Sequence, residues 1–137
     1  MGSSTASNRK LAFISVYIPP NQRVSTTRKL KEVITDGINK LKCTYDDPMI
    51  YIGGDTNNRK LADLLTDFPD MTTVDAPPTR GDAKLDEVST NCGGDISPEE
   101  ICTLPPLESD SGTKSDHQML FIKTSIPTVH HLSLIHI

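Results

Sequence analysis

The sequence predicts an α/β fold in which strands and helices alternate and the strands end in polar loops. Three observations predict it. Residues 11–18 and 49–52 are nearly continuous apolar runs rich in β-branched side chains, as buried strands are. Between them, residues 25–42 place apolar side chains at three- and four-residue steps, the signature of an amphipathic helix. Acid-bearing motifs then follow or open predicted strands, where sites in layered α/β proteins are usually built.

Taken in order, residues 1–10 form a polar, Ser-rich lead. The first strand, 11–18, is stopped by Pro19-Pro20. In the helix over 25–42, Leu30, Val33, Ile34, Ile38 and Leu41 make the apolar side, Lys and Arg fill the opposite one, and Ser25, Thr26 or Thr27 is placed to cap its start. Met49-Ile50-Tyr51-Ile52 is the second strand, with Gly53-Gly54 predicted to break it. A shorter helix is expected over about residues 59–66, with Leu61, Leu64 and Leu65 inward. The second half is richer in Pro, Gly and Asp, and short strands are expected at 72–74, 86–90, 100–104 and 118–122. Pro77-Pro78 and Pro105-Pro106 mark loops, and there is no internal repeat.

The chain of 137 residues and 15.0 kDa suffices for one domain. Its 35% hydrophobic content and 4% aromatic content, with no Trp, make the core one of Ile, Leu, Val and Met and its stability modest. A net charge of −4 argues against nucleic-acid binding through a broad basic surface alone, though not against a hydrolase that gathers carboxylates around a cation. Cys43, Cys92 and Cys102 are an odd number without a CxxC pair, so a reduced intracellular chain without disulfides or structural zinc is expected. No apolar run reaches the roughly 20 residues of a membrane span, and the protein reads as soluble.

Three motifs carry chemistry: Gly54-Asp55-Thr56-Asn57, then Thr79-Arg80-Gly81 leading to Leu85-Asp86, then Ser115-Asp116-His117. Phosphodiester hydrolysis needs an activated water, a cation for the charge developing on phosphoryl oxygens, and help for the leaving oxygen. Asp55, after an apolar strand and a Gly pair, is placed to align and deprotonate water. Asn57 is placed to hold the phosphate, His117 to donate to it, Asp86 to fix the tautomer of His117, and Asp116 to bind Mg²⁺. Singly, each motif also fits a plain turn, a solvated strand edge or a strand start. Their complementary roles in one short chain favour a site. His130, His131 and His136 lack such context and read as surface or tail residues.

Val16-Tyr17-Ile18-Pro19-Pro20-Asn21, Ile52-Gly53-Gly54-Asp55-Thr56-Asn57, Pro78-Thr79-Arg80-Gly81 with Leu85-Asp86, Thr90-Asn91, and Pro105-Pro106-Leu107 through Ser115-Asp116-His117 together resemble the endonuclease/exonuclease/phosphatase superfamily. Within it, the chain is most similar to the apurinic-type endonuclease domains of non-LTR retrotransposons, over about residues 11–125. The resemblance implies a four-layered, DNase I-like α/β sandwich and Mg²⁺ or Mn²⁺ as cofactor. It implies Asp55, Asn57, Asp86 and His117 as catalytic residues, with Tyr17 beside the scissile phosphate. Asp116 would be the metal ligand, and Asn21, Thr79 and Arg80 would contact substrate. The implied act is nicking of DNA in the nucleus, beside a fused reverse transcriptase. A phosphatase of the same superfamily shares the residue set, and a non-catalytic remnant or interaction module is the alternative from another class.

Against the family pattern, Asn21 stands one residue later than usual after Tyr17, and Thr56 replaces a large apolar residue. The family's first strand and its principal metal Glu have no counterpart in the chain. The expectation is therefore a partial sandwich with its N-terminal portion missing, and little or no nicking by this chain alone. Residues 126–137 resemble no part of the family and are given no function.

Overall fold

The structure is a computed structural model that describes residues 9–21, 23–57, 59–93, 101–105, 108–112, 119–122 and 132–136. Strand β1 (Leu11–Tyr17) leads through helix α1 (Val24–Thr44) to β2 (Met49–Asp55), followed by the single-turn α2 (Leu61–Leu64). Next come β3 (Thr72–Thr73), β4 (Asp86–Thr90), β5 (Ile101–Leu104), β6 (Met119–Ile122) and β7 (Leu132–His136). The fold is mixed α/β. A five-stranded sheet runs β3-β4-β2-β1-β7, and β5 and β6 form a separate antiparallel pair. β1 is parallel to both β2 and β7, whereas β4 is antiparallel to β2 and β3.

Strand alternation divides the sheet into two faces. Ala12, Ile14 and Val16 of β1 and Ile50 and Ile52 of β2 turn to one face, where Ile34, Ile38 and Leu41 of α1 and Leu61, Leu64, Leu65, Phe68 and Met71 cover them. Burying Ile34 and Ile38 completely removes two branched side chains from water, about 1.5–3 kcal/mol each. The other face carries a smaller cluster of Leu11, Met49, Tyr51 and Cys92, joined by Phe13 and Val88. A cavity of about 430 Å³ lies on this second face, bounded by Phe13, Tyr51 and Val88 and, from β6, by Leu120 and Ile122.

Several boundaries differ from the expected ones, each for a tertiary reason. β2 is not broken at Gly53-Gly54 but runs on to Asp55, because both glycines remain paired to β1 and β4. α1 begins at Val24, and its N-cap is Arg23 without a side-chain cap bond; the hydroxyl of Thr27 instead donates back to the carbonyl of Arg23 at 3.1 Å. α2 is only Leu61–Leu64, and its first N–H is received by the carboxylate of Glu87 at 2.7 Å, a partner remote in sequence. The tail, given no role by the sequence, supplies β7 alongside β1. Cys43, Cys92 and Cys102 are free thiols, and no helix among the described residues is long and apolar enough to cross a membrane.

Candidate active site at the strand ends

Asp55, the last residue of β2, stands in register with Tyr17, the last of β1, and with Asp86, the first of β4. Residues in register across neighbouring strands share a face, with Cβ atoms about 5 Å apart in an antiparallel pair. One row across three strands therefore sets a phenol and two carboxylates side by side. By strand alternation this row belongs to the face opposite the helices, two residues along from Ser15, Gly53 and Val88. It also lies at the carboxyl ends of the parallel strands β1 and β2, where open α/β sheets place their ligands. Tyr17 is 57% exposed, so its ring is accessible from solvent.

The turn after Asp55 is fixed from several sides. Its carboxylate Oδ1 accepts the backbone N–H of Asn57 at 3.0 Å, closing an Asx turn in which Asn57 takes a φ of 51°. The side-chain amide of Asn57 donates to the carbonyl of Ile18 at 2.5 Å, joining the exits of β1 and β2. Thr56 is completely buried and donates to the carbonyl of Leu85 through both its N–H, at 2.8 Å, and its hydroxyl, at 3.3 Å. The N–H of Asn57 reaches the same carbonyl at 3.1 Å. Leu85 is thus a backbone hub immediately before Asp86, and no side-chain pattern in the sequence signals it.

Thr79-Arg80-Gly81 opens a tight turn in which Ala83 and Arg80 exchange backbone hydrogen bonds at 2.9 and 3.3 Å and Gly81 has a φ of 55°. Arg80 is exposed on that turn, whereas Thr79 is completely buried. The Thr79 hydroxyl donates to Oδ2 of Asp86 at 2.5 Å. Asn21 is exposed in the turn after Pro19-Pro20. Asp116 and His117 lie outside the described residues. The structure therefore brings together Tyr17, Asp55, Asn57, Thr79 and Asp86.

Thr90-Asn91 has a definite local role. The Asn91 side chain accepts from the N–H of Ile50 at 2.9 Å and donates to the carbonyl of Pro48 at 2.8 Å, extending the β2–β4 ladder by one side chain. Among the described residues, no group of three or more His, Cys, Asp or Glu side chains is arranged to hold a metal ion. Asp55 and Asp86 are two neighbouring carboxylates, the number that Mg²⁺ typically takes from protein while keeping several waters. No protein-family model, curated protein or solved structure matches the chain.

Proposed function

We propose that the row at the strand ends is the centre of a Mg²⁺-dependent phosphodiester hydrolase, a DNA-nicking endonuclease of the non-LTR retrotransposon kind. The observation that carries this reading is the register of Tyr17, Asp55 and Asp86 at one end of the sheet. In it, Asp55 receives a proton from the attacking water, the exposed phenol of Tyr17 lies against the phosphate, and Asp86 orients the imidazole of His117. Bound Mg²⁺ supplies neutralisation of charge on the phosphoryl oxygens. Asp55 and Asp116 are the carboxylates that would hold it, and Mn²⁺ would serve in its place. DNA is the proposed partner, with a reverse transcriptase domain acting on the nicked product in the nucleus.

A second reading is favoured by the bonds of Asn57. Its amide is engaged by the Ile18 carbonyl and its N–H by the Asp55 carboxylate, which is what a purely structural turn in a non-catalytic remnant would also require. Incubating supercoiled plasmid with the chain in Mg²⁺ or in EDTA, beside Asp55→Ala, separates the two. Slow metal-dependent nicking lost in the variant supports the hydrolase. A folded chain that nicks no faster than Asp55→Ala is the remnant.

A further inference from the structure

We infer that Thr79 is a positioning residue: its hydroxyl fixes the carboxylate of Asp86 within the row, and it makes no contact with substrate. The inference rests on the proposed hydrolase reading for its catalytic meaning, and on geometry alone for the positioning itself. Thr79 is fully buried, so a bound nucleic acid does not reach it without unfolding the turn. Its hydroxyl donates to Oδ2 of Asp86. The donor is itself held, since the N–H of Thr79 bonds the Ala83 carbonyl at 3.2 Å within the 80–83 turn.

The acceptor is held as well. The main chain of Asp86 is paired to Asp55 in the β2–β4 ladder, and the preceding carbonyl, on Leu85, receives three hydrogen bonds from Thr56 and Asn57. With backbone and carboxylate both anchored, Asp86 keeps one side-chain rotamer beside Asp55. A carboxylate that must orient another group gains most from such anchoring, because misplacement of even 1 Å at a reacting centre is costly. Valine matches threonine in shape but has no hydroxyl, and serine keeps the hydroxyl, so these substitutions isolate the hydrogen bond.

The test compares wild type with Thr79→Val and Thr79→Ser. Side-chain NMR couplings report the rotamer of Asp86, denaturant melts report stability, and the plasmid assay in Mg²⁺ reports nicking. A single Asp86 rotamer in wild type and Thr79→Ser, averaged in Thr79→Val, is the expected result. With it should come a kcat lowered on the order of ten-fold in Thr79→Val at unchanged KM, restored in Thr79→Ser. An averaged Asp86 rotamer in wild type, or a rotamer equally fixed in a folded Thr79→Val, overturns the inference. So does nicking unchanged in Thr79→Val. Should Thr79→Val not fold, the wild-type couplings and the exchange rate of the Thr79 hydroxyl proton decide: an averaged Asp86, or a hydroxyl exchanging as fast as an exposed one, overturns it. Should wild type not nick, the couplings still decide the positioning, and only the hydrolase reading falls.

Discussion

Gly54 has a φ of 148°, and a Cβ added there would lie 1.9 Å from the carbonyl oxygen of Val16. Strain and collision act together at this position, so Gly54→Ala is expected to cost about 3 kcal/mol or more, read as a lower denaturation midpoint. Asn91→Ala removes both partners of the Ile50 N–H and Pro48 carbonyl contacts and should cost about 2 kcal/mol, with an unchanged m-value. At this scale the sequence was informative about residue type and silent about partners. The Gly-Asp-Thr-Asn motif marks a site or a turn, and the structure uses Asp55 and Asn57 to build the turn itself. Thr79 reads as a substrate contact in the sequence because its burial depends on how the turn of residues 80–83 folds back on β4.

Elements were more legible than their ends. The apolar run of β1, the helical spacing of α1 and the strand at 86–90 all appear where local pattern places them, because each depends mainly on alternation or period. The end of β2 depends on Val16 and Val88 approaching two glycines, and the start of α2 on a carboxylate from β4; neither is local. Helix α1 leaves two openings for improvement. Gly37 has nothing within 4 Å of its would-be Cβ, so Gly37→Ala should stabilise by about 1 kcal/mol, seen as a higher Tm. Arg23 occupies the N-cap with a φ of −70° and a ψ of 152° and makes no side-chain cap bond. Arg23→Asp should add about 1 kcal/mol through a cap and the helix dipole, and a denaturation curve superimposable on wild type would count against that cap geometry.

Among the described residues, the two faces of the sheet carry buried clusters of different size. One packs fourteen buried residues from the sheet, both helices and the segment after α2, and the other holds a cluster of four beside the cavity under β6. The row of Tyr17, Asp55 and Asp86 belongs to the face of the smaller cluster, and Tyr17 in it is exposed. β7 supports the same sheet from its edge. Removing residues 132–137 should lower Tm by several degrees and increase self-association on sedimentation, since β1 would then present unpaired backbone groups; identical Tm and sedimentation would show that β7 adds nothing. The pairing of Leu11 with Leu132 spans nearly the full length of the 137-residue chain. On the ribosome, therefore, β1 must wait for β7, 121 residues further along the chain, before this edge can pair. Until β7 has been made that outer edge stays bare, and completion of the sheet is slow in the manner of long-range parallel pairing.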